Sequence, residues 1–340
     1  MASIFGNNIK ISIFGQSHSE MIGVTIDGLP CGFKIDVDKL RAFMDRRVPG
    51  KNAVVSERNE ADRFNIISGM MEGKTCGAPL TAIIHNTDVK SVDYEQIKDC
   101  PRPAHADFSA HAKYRGYEDF RGGGHFSGRL TAPLCFAGGL VLQMLNRQGI
   151  SIKSEIEEIY GKRDKFDEII EEAKSEGDSV GGIVSCSIDS LPSGIGTPMF
   201  DGLENKISQA VFAIPGIKGI EFGAGFDLAK MKGSQANDEY FFSDGKVGFK
   251  SNNNGGILGG ISTGAQIFFR VCIKPTPSIS KSQNSISYTD KDNVELKIAG
   301  RHDPCIVTRA LPCVESAAAI AVFDLMLGDL KAAGRCIYND

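Results

Sequence analysis

No two of the nine cysteines in this 340-residue chain stand as a Cys-x-x-Cys pair. That excludes the common zinc-ribbon and dithiol motifs, and cysteines scattered singly through so long a chain indicate reduced thiols in a cytoplasmic compartment. The six histidines show no His-x-x-x-His spacing, so no metal site is expected. Nor does any apolar run reach the ~20 residues of a membrane span. The longest, Leu130 to Leu145, is broken by Thr131, Pro133, Gly138, Gly139 and Gln143 and reads as a buried helix. The N-terminal MASIFGNNIK lacks the basic-then-apolar order of a secretory signal. Positive charge is not in excess: 38 Lys and Arg face 42 Asp and Glu, a formal net charge of -4, which offers no general basic surface for nucleic acid. No Pro- or Ser-rich linker divides the chain, so residues 1–340 read as one domain.

Glycine is what the chain has in excess. Its 39 glycines exceed the usual share of about 7% and cluster in short loops, where a missing side chain lets backbone approach a ligand. Apolar periodicity predicts amphipathic helices over Val37 to Arg47, Phe166 to Glu176, Leu203 to Ala213 and Glu315 to Leu330, with Asp36 and Asp201 as N-caps. Alternation or β-branched enrichment predicts strands at Lys10 to Phe14, Val24 to Ile26, Thr81 to Ile84, Ile183 to Ile188, Ile217 to Phe222 and Gln266 to Ile273. The class is mixed α and β. Ile26-Asp27-Gly28-Leu29-Pro30-Cys31-Gly32 echoes Ile188-Asp189-Ser190-Leu191-Pro192-Ser193-Gly194, and Gly73 to Ala78 weakly echoes Gly260 to Ala265. Two readings stand: pseudo-equivalent halves around one core, or chance likeness of Gly- and Pro-bearing turns. The Gly-, Asn- and Ser-rich stretches Ser243 to Gly260 and Pro275 to Thr289 are expected as mobile segments over a site.

Five segments carry residues suited to chemistry. Ser17-His18 follows a strand, where a histidine can act as a general acid near neutral pH; a lone Ser-His pair serves structure as readily as catalysis. Arg102-Pro103-Ala104-His105-Ala106-Asp107 holds a histidine between a cation and a carboxylate, either to tune a proton donor or simply to satisfy a loop. Arg121-Gly122-Gly123-Gly124-His125-Phe126-Ser127-Gly128-Arg129 reads as a glycine-rich turn opening a helix, an anion cradle with flanking guanidiniums. It matches neither the phosphate loop of nucleotide hydrolases nor the dinucleotide fingerprint. Lys274-Pro275-Thr276-Pro277-Ser278 places three donors on a stiffened strand end, which favours an anionic partner; a plain surface turn is the other reading. In Gly300-Arg301-His302-Asp303-Pro304-Cys305, cations beside Asp303 keep it ionised and able to steer a proton.

Taken in order, these segments resemble the chorismate synthase family. The likeness runs from about Ile9 to Leu327 and rests on Phe14 to His18, Asp45 to Gly50, Arg102 to Asp107, Arg121 to Arg129, Gly255 to Gly260, Lys274 to Ser278 and Gly300 to Cys305. The resemblance implies an α+β fold, a β-α-β sandwich with helices packed between two sheets and pseudo-symmetric halves, assembled as a homotetramer. It implies conversion of 5-enolpyruvylshikimate 3-phosphate to chorismate and phosphate with reduced FMN and no net redox change. By similarity His18 would protonate the departing phosphate, His105 would hold a proton near N1 and O2 of the flavin, and Asp303 would assist proton movement at N5. Ser17 would support flavin and substrate, and Arg47, Arg129 and Arg301 would clamp substrate anions. His125, Phe126, Ser127, Gly259, Lys274, Pro275, Thr276, Pro277 and Ser278, with Arg301, would hold FMN.

Two departures from the family pattern bear on these roles. His125-Phe126-Ser127 stands where Arg-Ser-Ser is common, so flavin contacts at the first two positions are expected from backbone or stacking. Ala53 stands where an arginine is frequent, with Lys51 or Arg58 as candidates to cover that charge. With no segment for a flavin reductase, the resemblance implies a monofunctional enzyme fed reduced FMN by an external reductase or NAD(P)H. The competing readings are a non-catalytic flavin- or phosphate-binding relative and a phosphotransferase using the glycine-rich turn. The first does not account for His18, His105 and Asp303 together, and the second lacks both the nucleotide-binding loop and a magnesium carboxylate pair.

Overall fold

The computed structural model describes residues 3–48, 62–86, 95–298 and 302–332. Two antiparallel sheets enclose a layer of helices; labels below cover their strands and the four core helices. In the first sheet β1 (Ile4–Phe5), β2 (Lys10–Gly15), β3 (Met21–Asp27), β4 (Phe64–Ser68) and β5 (Leu80–His85) lie in the order β1-β2-β3-β5-β4. In the second, β6 (Ser151–Ile159), β7 (Gly182–Asp189), β8 (Ile217–Phe222) and β9 (Ile267–Ile273) lie in the order β8-β9-β7-β6. The core helices are α1 (Val37–Asp45), α2 (Thr131–Arg147), α3 (Leu203–Phe212) and α4 (Val307–Ala332).

One face of each central strand drives the packing. Ile22, Val24 and Ile26 of β3, Leu80, Ala82 and Ile84 of β5, and Ile267, Phe269, Val271 and Ile273 of β9 are all buried at a spacing of two, which turns them onto the helix layer. Each of these side chains other than Ala82 contributes about 1.5–3 kcal/mol on burial. Helices α2 and α4 form the centre, crossing where Gly138 meets Ser316 so closely that a Cβ on Gly138 would come 2.1 Å from the serine Cβ. Arg121–Arg147, the helical stretch that includes α2, and Val307–Leu330 of α4 are long and apolar enough to cross a membrane by composition, yet 83% and 94% of their apolar windows are buried inside this fold. Leu130 to Leu145 is thus a buried helix, as its interrupted run suggests. Glu315 to Leu330 is not an amphipathic helix. It is part of α4, which starts at Val307 and is buried on every side from Cys313 to Met326, because a sheet covers one face and α2 and α3 cover the others.

Asp36 caps α1, its carboxylate accepting from the Lys39 amide at 3.0 Å. Asp201 does not cap α3. Gly202 holds that position, and Asp201 instead pairs with Lys206 Nζ at 2.8 Å. Strands β4 and β6 escape the sequence reading because each carries a bulge, at Ile66/Ser68 and at Ile156/Glu158, which breaks the alternation the reading relies on.

The internal echo is a repeat of structure. The chain runs β2-β3-α1-β4-β5-α2 and then β6-β7-α3-β8-β9-α4, and the orders β2-β3-β5-β4 and β6-β7-β9-β8 coincide. Even one side chain is used alike. Thr75 Oγ1 donates to the Pro30 carbonyl at 2.6 Å and accepts from the Phe33 amide at 3.0 Å; Ser262 Oγ donates to the Pro192 carbonyl at 2.6 Å and accepts from the Ile195 amide at 2.9 Å. The stretch Ser243 to Gly260 does not overhang a site: Tyr240–Ser243 and Lys246–Phe249 form an exposed hairpin, and none of that stretch lines the cavity described next.

Candidate active site

Both α2 and α4 begin against one cavity of about 1220 Å³. From the first half Ser17, His18, Arg47, His105, His125, Phe126, Ser127 and Arg129 line it; from the second come Lys274, Thr276, Pro277, Ser278 and Asp303. Pro275 and Gly259 do not line it. Gly259 lies in the turn beside Gly260, whose carbonyl accepts from the Leu203 amide at the start of α3. Arg301, with Gly50, Lys51, Ala53 and Arg58, lies outside the described residues.

Anion-binding capacity comes from two guanidiniums fixed by one carboxylate. Arg46 and Arg47 follow α1 and turn apart: Arg46 forks onto Glu315 at 2.7 and 2.8 Å, whereas Arg47 Nε donates to Asp62 Oδ2 at 2.7 Å and its NH1 lies 3.4 Å from Thr131 Oγ1. Arg129 takes the other Asp62 oxygen through NH1 and reaches Asn86 Oδ1 through Nε at 3.1 Å. Asp62 has no side-chain exposure. Burial alone would lower the Arg47 pKa, but the Asp62 carboxylate outweighs it and raises the value, so the guanidinium stays charged. Two cations sharing one anion leave net positive charge facing the cavity. Asp62 and Asn86 were not foreseen, since a lone acid beside Arg63 and an asparagine after a strand look like ordinary polar surface in sequence.

The glycine run does not open directly into the helix as its sequence suggests. Helix α2 begins only at Thr131; the Gly123 amide points to the Phe120 carbonyl, and the Gly124 carbonyl accepts from Ser17 N at 3.0 Å. Gly122, Gly123 and Gly124 all have left-handed backbone, at φ +57, +85 and +54°. A Cβ on Gly122 would lie 2.3 Å from His18 Cε1, and one on Gly123 would lie 2.9 Å from His105 Cε1. The bare backbone is therefore a thin spacer between two histidines.

Each histidine has its own partner. His18 Nδ1 lies 3.2 Å from Ser17 Oγ. His105 Nδ1 lies 2.5 Å from Asp107 Oδ1, and Asp107 Oδ2 accepts from Arg102 Nε at 2.7 Å. Burial would raise the Asp107 carboxyl, but hydrogen bonds from Arg102 and His105 hold it well below the usual carboxylate range. On the facing side Asp303 accepts from Arg309 NH1 at 3.0 Å, and Arg309 Nε donates to the Arg47 carbonyl at 3.1 Å, which ties the start of α4 to the end of α1.

The remaining wall suits a phosphorylated, aromatic ligand. Lys274 donates to the Ala104 carbonyl at 2.5 Å, and burial together with neighbouring Lys218 lowers its pKa. Thr276 Oγ1 is buried with no hydrogen-bond partner among the described residues, a donor that a ligand would satisfy. Phe126 lines the cavity, while His125 is committed elsewhere: its nitrogens contact the Gly15 carbonyl at 2.8 Å and Ser3 Oγ at 3.0 Å, pinning the loop to the first sheet.

The family model described as chorismate synthase matches residues 9–327. The chain is 41% identical to a chorismate synthase of Korarchaeum cryptofilum over 97% of this chain and 99% of the relative. It is 42% identical to one of Lancefieldella parvula over 96% of each chain, and 41% identical to one of Thermococcus kodakarensis over 95% and 97%. A crystal structure of chorismate synthase superposes with a TM-score of 0.74 at 25% identity, covering 96% of this chain and 94% of that one.

Proposed function

The chain belongs to the chorismate synthase family, and we propose that it converts 5-enolpyruvylshikimate 3-phosphate to chorismate and phosphate by anti 1,4-elimination, with reduced FMN bound and no net redox change. The observation that carries this reading is the meeting of His18, His105 and Asp303, from distant parts of the chain, in one cavity with Arg47 and Arg129. A non-catalytic relative would need the cations but not three proton-handling groups.

The substrate carries two carboxylates and a phosphate. Arg47 and Arg129, held by Asp62, supply charge already oriented toward them, so little side-chain freedom is lost on binding. Reduced FMN, when bound, supplies the electron density that lets hydrogen leave a carbon no carbonyl acidifies. Lys274, Thr276 and Ser278 would hold it, the free hydroxyl of Thr276 and the ammonium of Lys274 suiting a phosphoryl group. His18 delivers a proton to the departing phosphate, and its neighbour Ser17 orients the ring. His105, backed by the ionised Asp107, keeps a proton at the flavin edge. Asp303, fixed by Arg309, would assist proton movement at flavin N5.

On this reading the enzyme is a monofunctional carbon-oxygen lyase of the cytoplasm. It acts as a homotetramer and takes reduced FMN from an external reductase or NAD(P)H. The test is anaerobic incubation of pure protein with chemically reduced FMN and the substrate, followed by assay of chorismate and phosphate. His18→Ala, His105→Ala and Asp303→Ala should each lose most turnover. Near-normal rates in all three, or phosphate release without chorismate, would overturn the assignment.

A further inference from the structure

Two thiols that the proposed reaction does not use meet at the floor of this cavity. Cys135 of α2 and Cys313 of α4 are separated by 178 positions in sequence, yet their sulfurs lie 3.7 Å apart. Cys313 lines the cavity, whereas Cys135 sits behind it with no exposed surface. A cysteine in apolar surroundings is ordinarily inert, because burial disfavours the thiolate that does the chemistry. This pair differs in its neighbours. Arg47 and Arg309 bring positive charge to the sulfurs, and the hydrogen bond from the Cys135 thiol, aided by Arg47 and opposed by burial, lowers the Cys313 pKa. Burial and that same contact push Cys135 up. Cys313 is thus the thiol on the open side, and Cys135 the partner within reach.

We propose that Cys135 and Cys313 are a thiol-disulfide site that reacts with a hydroperoxide entering the cavity, and that the disulfide reversibly disables the active site. In the first step Cys313 sulfur attacks one peroxide oxygen and the O–O bond breaks. The other oxygen leaves with a proton as water or an alcohol, and Cys313 becomes a sulfenic acid. Cys135 sulfur then attacks that sulfur, the S–O bond breaks and water leaves. Two thiols have lost two electrons, and the hydroperoxide has gained them.

The structural cost falls on the catalytic groups. A disulfide spans about 2.05 Å, so the sulfurs must close by more than an ångström. Helices already in contact at Gly138 and Ser316 have little room to approach as rigid bodies, so the shift falls on the first turns of α4. Arg309 lies one helical turn before Cys313 and its carbonyl is 3.5 Å from that sulfur; its side chain holds both Asp303 and the Arg47 carbonyl. This consequence rests on the proposed reaction, whereas formation of the bond does not.

The experiment treats the reduced protein with graded hydrogen peroxide, removes the peroxide, and reads two quantities. Mass spectrometry of a non-reduced digest should find the Cys135 and Cys313 peptides joined with loss of two hydrogens. Anaerobic chorismate formation should fall by on the order of 100-fold, the usual effect of misplacing a catalytic group by about 1 Å, and return with dithiothreitol. Cys135→Ser, or Cys135→Ala if the serine variant is poorly folded, should keep its activity through mild peroxide treatment and show no joined peptide. Exposed Cys31, Cys76 and Cys272 remain in those variants, so their oxidation is controlled. Absence of the joined peptide in the parent protein, over-oxidation of Cys313 in its place, or full activity with the bond formed would each overturn the proposal. If the reduced protein makes no chorismate, the assigned reaction fails while the mass measurement still decides the thiol chemistry.

Discussion

Gly123 lies so close to His105 that a Cβ on the glycine would meet the imidazole at 2.9 Å, and its neighbour Gly122 stands in the same relation to His18 at 2.3 Å. Two catalytic candidates are thereby spaced by backbone alone. Gly122→Ala and Gly123→Ala each add a methyl group where backbone φ is +57 or +85°, at about 1–2 kcal/mol of strain. Stability should fall by that modest amount, while turnover with saturating reduced FMN falls about 100-fold as the rings are displaced. Equal small losses in melting temperature and rate would contradict this spacing role.

Asp62 holds Arg47 and Arg129 with no exposure of its own carboxylate. Asp62→Ala leaves two buried guanidiniums without their shared anion and should cost about 3–5 kcal/mol in urea denaturation. Added inorganic phosphate should recover part of that loss in the variant and much less in the parent, because an anion can then take the vacated place. No recovery at any phosphate concentration would separate the two arginines from anion binding.

The depressed pKa of Asp107 predicts an acid limb. Its carboxyl titrates lower in the folded than in the unfolded chain, where about 3.9 is usual. The stability it contributes is therefore complete above the unfolded value and is lost as pH falls through the folded one. Asp107→Asn should be less stable than the parent at pH 7, and the gap should narrow below about pH 4. A gap that stays constant down the acid limb would show that the Arg102 and His105 contacts do not hold that charge.

Thr276→Val removes a hydroxyl that has no partner among the described residues. No described residue loses a hydrogen bond, so the unliganded melting temperature should be unchanged or slightly higher. Affinity for reduced FMN should drop by about tenfold, the loss of roughly one hydrogen bond to a charged group. Flavin titration checks this, and undiminished affinity would remove Thr276 from the flavin wall.

The repeat within the fold can be tested at its two matching hydroxyls. Thr75→Val and Ser262→Ala each strand the same backbone groups, Phe33 N with Pro30 O and Ile195 N with Pro192 O. Each should cost about 1–3 kcal/mol with turnover little changed, since neither residue lines the cavity. A large loss in only one would mean that the two turns carry different loads.

Residue type and local order alone determined that α1, α3 and the central strands would form, that Asp36 would cap, and that Leu130 to Leu145 would be buried. These are short-range properties, written in periods of two and 3.6 and in runs of neighbouring residues. Where the local pattern was disturbed, the reading stopped: bulges hid β4 and β6, and burial on all sides hid the length of α4. Asp201 was given a cap position by proximity in sequence that Gly202 holds instead, and Gly259 lies off the cavity. What only the tertiary structure decided was which charges meet. Asp62 reaches Arg129 across 67 positions, Arg309 reaches back to Arg47 across 262, and the glycine run stands between His18 and His105. The physical reason is that electrostatics and steric contact depend on distance in space, and two stacked halves bring together chain segments whose order in sequence carries no record of that distance.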